Sequence, residues 1–333
     1  MNIKTKVVAG ALALSVILSG NFQAQAQSEV EVEAWEDAVT VYGKYLETDE
    51  ANREVTNELL GYEDTDEIGY VGAVDTYEFI GLNSTDESLK SSIRIKRTPE
   101  GTGLNLEIND EGGEITKVTE EMYRNALTTS GFHDAEVTIA SFQDVTGESA
   151  LSGVFKAQEV KGEEVDTERT SLAQEELNTV VEINEENKGT EGFSQEQLNK
   201  AIAEVKTKVA EQDGELTEEG VRAIVDEQLE ANGLGEFMNE ESRDRIVVFI
   251  IKGQDMGIFS GESADKFVQS GKDLVKGISE SDGFQKAKDK AGDLGNSIKD
   301  TVSDEGFWSK IGDFFKGIFD AIGGLFGSDD SKE

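Results

Sequence analysis

The sequence predicts a two-part fold: an α+β or α/β N-terminal domain, a mixed sheet with a hairpin and packed helices, followed by an all-α C-terminal region. Three observations predict it. Residues 118–157 read helix, strand, helix with short connections. Strand-like alternation is concentrated before about residue 160, and beyond it the apolar spacing turns to three and four. Within 118–157, Thr119 is placed to cap a helix whose first turn holds Glu120 and Glu121, where the helix dipole favours negative charge. Met122, Tyr123, Ala126 and Leu127 form its apolar stripe, and Gly131 stops it. Val137 and Ile139 then alternate with Glu136 and Thr138. Gly147 opens a second amphipathic run through Ala150, Leu151, Val154, Phe155 and Ala157.

The remaining elements follow in order. Residues 1–26 read as a signal peptide: Lys4 and Lys6, an apolar run from Val7 to Leu18, then Ala24-Gln25-Ala26, with cleavage expected after Ala26. The α/β domain is expected over 27–162, a helical domain over 163–258, and a Gly-containing helical tail over 259–333. In the first of these, a strand is expected around Val39–Tyr42, and a helix after Thr48 to about Leu60, stopped by Gly61. A second strand is expected within Tyr70–Phe79. Ile93 and Ile95 alternate with Arg94 and Lys96, as Leu104, Leu106 and Ile108 do with Asn105 and Glu107. The turn sequence Thr98-Pro99-Glu100-Gly101 between them predicts a hairpin pairing Ile95 with Leu106 and Arg94 with Glu107. Helices are expected within 167–183, 194–211, 217–231 and 240–252, with Ser194 and Gln197 forming a capping box. Ile246–Ile251 is read as a buried part of the last.

The tail ends in an aromatic amphipathic helix at 306–327. Phe307, Trp308, Ile311, Phe314, Phe315, Ile318, Phe319, Ile322 and Phe326 repeat at three and four. Lys310, Asp313, Lys316 and Asp320 lie opposite and exclude a bilayer-spanning helix. Burying the apolar stripe roughly offsets the entropy of ordering the segment, so the helix needs a surface. That surface is the protein's own helical part, a membrane or partner, or another copy. These nine residues are the expected membrane or partner docking residues.

Composition narrows the chemistry. Asp and Glu number 70 against 31 Lys and Arg, for a net charge of −39, which argues against nucleic-acid partners because phosphate contacts need cations. No cysteine is present, so no disulfide, thiol nucleophile or thiolate metal site can form. Gly147-Glu148-Ser149 resembles a nucleophile elbow, but Leu151 stands where that motif has glycine. The single histidine, His133, precedes the serine and is read as a loop residue. Asp64-Thr65-Asp66-Glu67-Ile68-Gly69, with Asp75 at the twelfth position, is a weak calcium-loop match because Ile68 holds a ligand position. No cofactor is expected; so acidic a surface would bind calcium only weakly and nonspecifically. Arg94, Lys96 and Arg97 form the densest positive cluster of the front half and are read as a solvated face.

Several short runs carry a resemblance: Val118-Thr119-Glu120-Glu121-Met122-Tyr123, Asn125-Ala126-Leu127, Asp134-Ala135-Glu136-Val137, Thr146-Gly147, Ala150-Leu151, Gly153 and Lys156-Ala157. In these the chain resembles the YpuA-like family of secreted Bacillus-type proteins, a family of unknown function. The resemblance implies export from a Gram-positive cell and an α/β front with a helical rear; it implies no activity and no site residues. The expectation is therefore an exported, non-enzymatic protein of the cell envelope or extracellular space. It would be a binding module whose C-terminal helix meets an envelope component, a membrane surface or another copy. A carboxylate-dependent hydrolase of a cell-wall polymer and a self-assembling surface protein are the alternatives.

Overall fold

A computed structural model describes residues 34–147, 149–212, 214–281 and 283–285. The signal peptide and the aromatic helix expected at 306–327 lie outside the described residues. The front part is a five-stranded mixed sheet flanked by helices and the rear is helical, as the sequence predicts.

Strands β1 (Val39–Gly43), β2 (Glu67–Val71), β3 (Ser92–Arg97), β4 (Leu104–Asn109) and β5 (Ala135–Ala140) lie in the order β2-β1-β3-β5-β4. Helix α1 (Glu50–Leu60) joins the parallel pair β1 and β2, and α3 (Glu120–Thr129) joins the parallel pair β4 and β5. The antiparallel β3 holds the two pairs together.

Two expectations are corrected here. β3 and β4 are not paired as a hairpin, because β5 lies between them. Val137 is the partner of both Ile95 and Leu106, and Thr138 separates Arg94 from Glu107. Strands pack about 4.8 Å apart, so the connection must span roughly twice that distance. A tight turn could not, but residues 98–103 can, with Gly101 and Gly103 at φ 81° and 80°. The second correction is that β2 ends at Val71, and most of the segment read as strand is helix α2 (Ala73–Ile80). Asp75 Oδ2 accepts from Gly72 N at 2.7 Å at its start, and Gly81, at φ 67°, stops it.

Local signals elsewhere hold. Thr119 Oγ1 accepts from Met122 N at the start of α3. Helix α1 starts one residue later than read, with Asp49 rather than Thr48 accepting from Asn52 N at 3.2 Å. The rear helices are α5 (Thr167–Asn187), α6 (Gln195–Ala210), α7 (Glu218–Ala231), α8 (Glu240–Asp255) and α9 (Gly261–Glu280). Ser194 Oγ accepts from Gln197 N at 3.3 Å and Thr217 Oγ1 from Gly220 N at 3.2 Å. Of the run Ile246–Ile251, read as wholly buried, Ile246, Val247, Phe249 and Ile250 are buried within α8, but Val248 is exposed and Ile251 half-buried because they lie toward the helix's outer side.

Strand alternation sends Val39, Val41, Ile93, Ile95, Val137 and Ile139 into one core, against which α4 (Ala150–Val160) packs. Gly153 permits this contact: a methyl group there would come within 2.6 Å of Ile93 Cγ2. Helix α1 covers the other face, where the Tyr42 hydroxyl donates to Asn57 Oδ1 at 2.6 Å. The apolar core continues rearward through α3, which packs on α5 and α6, to Ile202, Val225 and Phe249.

Alternation also divides the positive cluster read as one solvated face. Arg94 lies on the polar side and donates to both oxygens of Asp66, at 2.8 and 3.0 Å. Arg97 is buried, with its guanidinium 4.2 Å above the Phe132 ring and donating to Glu163 at 3.2 Å.

The outer edge of β4 is closed by side chains of α3. Arg124 donates to the carbonyls of Leu104 (2.6 Å) and Leu106 (2.8 Å), and Glu120 accepts from Ile108 N (3.1 Å). An open edge is a template for pairing with another chain. Arg124→Met should therefore raise self-association, seen as a larger sedimenting species with unchanged secondary structure; a strictly monomeric variant would refute the sealing role.

Candidate functional site

Two polar centres stand out. The first is closed. Lys206 of α6 donates to Glu176 Oε1 of α5 at 2.7 Å, to the Asn125 carbonyl of α3 at 2.8 Å and to Thr129 Oγ1 at 3.3 Å. The Thr129 hydroxyl bonds the other Glu176 oxygen. The two charged side chains are only 4% and 1% exposed, so this is a lock among three helices with no open approach. Burial pushes the Lys206 pKa below the ordinary lysine value, and Glu176 works against that shift.

The second centre is open. Asp166 caps α5, accepting from Arg169 N at 3.0 Å, and Asn239 caps α8, accepting from Ser242 N at 2.8 Å. The helices pack side by side. On α5, Ser171, Gln174, Glu175, Asn178, Thr179 and Glu182 recur at spacings of three and four; on α8, Glu241, Asp244, Arg245 and Val248 do the same. Each set therefore lies on one helix face. The two faces, with Ile80 from α2, line a groove of about 480 Å³.

Its chemistry is uneven. Gln174 is 2% exposed and donates through Nε2 to Asn178 Oδ1 at 2.7 Å, while its Oε1 has no partner among the described residues. Buried polar atoms are nearly always paired, and an orphan acceptor costs about 1–3 kcal/mol. Arg245 donates to Glu182 at 2.6 Å and to Glu186 at 2.9 and 3.0 Å. Burial lowers the Arg245 pKa, but the Glu186 and Glu182 carboxylates outweigh it and hold the pKa above the ordinary guanidinium value. Glu175 accepts from Lys252 at 2.7 Å, and Asp244 pairs with Arg222. Glu241 has no ion pair among the described residues, and Val248 is 45% exposed.

The residues singled out in the sequence lie elsewhere. Ser149 sits at the start of α4, and His133, between α3 and β5, meets Ser270 of α9 through Nδ1 at 2.9 Å. Asp66 accepts from Thr40 and Arg94; burial raises its pKa, but these hydrogen bonds prevail and hold it below the ordinary carboxylate value. Asp75 caps α2 and accepts from Lys156 at 3.0 Å, so the two acids of that loop face different partners. The docking residues Phe307, Trp308, Ile311, Phe314, Phe315, Ile318, Phe319, Ile322 and Phe326 lie outside the described residues. The groove went unread in the sequence, although its signal is there: polar residues at helical spacing on α5, where an apolar stripe would face a neighbour.

Comparison with known proteins bears on the whole of this architecture. Residues 42–270, more than half the chain, match the family described as "Protein of unknown function (DUF1002)". The chain belongs to the DUF1002 family. The match runs from β1 into α9, so the DUF1002 unit includes both the sheet and the α5–α8 groove. Among curated relatives, the chain is 28% identical over 259 residues to the uncharacterized protein YpuA of Bacillus subtilis (strain 168), covering 76% of this chain and 77% of that one. The YpuA-like resemblance seen in 118–157 thus extends over most of the chain. No solved structure matches.

Proposed function

We propose that this DUF1002 protein is an exported, non-enzymatic binding module of the cell envelope or extracellular space. Its ligand groove lies between α5 and α8, and its docking helix is the segment 306–327. The observation that carries the reading is the Gln174 amide, buried at the groove with an unmatched acceptor. A ligand that supplies a donor there removes a penalty already present in the free protein. Export is supported by the charged, apolar and small-residue segments of 1–26. Docking is supported by the aromatic stripe read in the sequence of 306–327, since an apolar stripe of that size gains by being covered.

The mature chain, mixed with cell envelopes or neutral liposomes and sedimented, should pellet with at least one of them. Deleting 306–333 should return it to the supernatant. Equal solubility of the full and truncated chains under both conditions would remove the docking helix from the proposal.

A further inference from the structure

We infer that the α5–α8 groove takes an alkylammonium group, the chemistry shared by a lysine side chain of a peptide and a free diamine. This rests on the binding-module reading and names its ligand. Four features converge. Gln174 Oε1 is an acceptor without a donor, so the ligand must bring an N–H or O–H group. The groove is lined by four carboxylates, Glu175, Glu182, Glu241 and Asp244, against one cation, Arg245. The terminal nitrogens of Arg245 are already held by Glu182 and Glu186, leaving only its buried Nε without a partner, so an anionic ligand would meet four carboxylates with a single N–H to receive it. Glu241, without an ion pair among the described residues, is the counter-charge left for an incoming ammonium.

The remaining wall sets the shape. Ile80 and Val248 give an apolar strip on which methylene groups can lie, which a bare metal ion or ammonium would leave unused. A volume of about 480 Å³ falls in the usual range for small-ligand sites. An alkyl chain carrying a cation supplies a donor for Gln174, a counter-charge for Glu241 and methylenes for the apolar wall.

Binding of 1,5-diaminopentane and of a blocked Lys-Ala-Lys tripeptide to the full mature chain tests this by calorimetry, with inorganic phosphate and N-methylacetamide as anionic and neutral probes. At least one amine should bind in the millimolar range or tighter. Gln174→Met should weaken it at least tenfold while leaving the melting temperature equal or higher, since an unmatched buried acceptor is removed. Glu241→Gln should weaken it and flatten its salt dependence. Tighter binding of the tripeptide assigns the source to peptides, and tighter binding of the diamine assigns it to free amines. If neither amine binds, or if both variants bind as the wild type does, the inference is overturned. If phosphate or N-methylacetamide binds instead and Gln174→Met abolishes it, the ammonium assignment is wrong while the groove remains a binding site.

Discussion

Lys206→Met is expected to destabilise the fold by about 3–5 kcal/mol, a large part of the 5–15 kcal/mol typical of a folded protein. Methionine fills most of the space of the lysine stem, so the effect comes from charge. Glu176 would remain 1% exposed with its cation gone, keeping a hydrogen bond from Thr129 but no counter-ion. The carbonyl of Asn125 would also lose a donor at 2.8 Å. Adding Glu176→Leu should recover most of the loss, because replacing both members of a buried pair by apolar groups is often neutral. Denaturant unfolding of the wild type, both single variants and the double variant gives the coupling directly. If the single losses simply add in the double variant, the two charges are not coupled and the lock assigned to them does not exist.

That centre also shows where reading the sequence stops. Helix α3, strand β5 and helix α4 were legible because their boundaries are local: Thr119 reaches only to Met122, and Gly131 ends its helix by its own backbone conformation at φ 93°. The order of strands is not local. Ile95 and Leu106 show the same alternation whether they are partners or stand on either side of Val137, so the inserted β5 could not be seen from β3 and β4 alone. Helix α2, at eight residues, was too short for its period to stand out against an alternating strand.

The candidate site was hidden for a related reason. Gln174, Asn178 and Glu182 mark a polar face of α5, and Glu241 and Arg245 mark one on α8. Nothing in either stretch says that the two faces meet. Nothing in the sequence marks Glu176 and Lys206 as buried, yet they are, because α5 is enclosed by α2, α3, α6 and α8. On a helix so enclosed, polar positions become either locks or sites according to whether a partner arrives from the protein.

Acidification should expose the other buried polar contact between front and rear. His133 is 8% exposed, stacks edge-on against Phe267 at 5.1 Å and shares a hydrogen bond with Ser270. Burial, reinforced by Arg169, Lys266, Lys206 and Arg97, pushes its pKa down from 6.5 to about 3. A folded-state pKa below the unfolded one means that the unfolded chain takes up the proton first. The contribution of His133 to stability is therefore complete above pH 6.5 and is lost as pH falls toward 3. Between pH 7 and pH 5 the loss is about 2 kcal/mol, before most carboxylates begin to protonate. His133→Gln keeps a polar group able to meet Ser270 but removes the titration. Its unfolding free energy should fall by about 2 kcal/mol less than that of the wild type over the same interval. Carboxylates such as Asp66, which also lose stabilisation in acid, are common to both proteins and cancel in the comparison. Parallel pH profiles for the two proteins would mean that His133 takes up its proton equally readily in the folded and the unfolded chain, and that its contact with α9 does not hold it neutral.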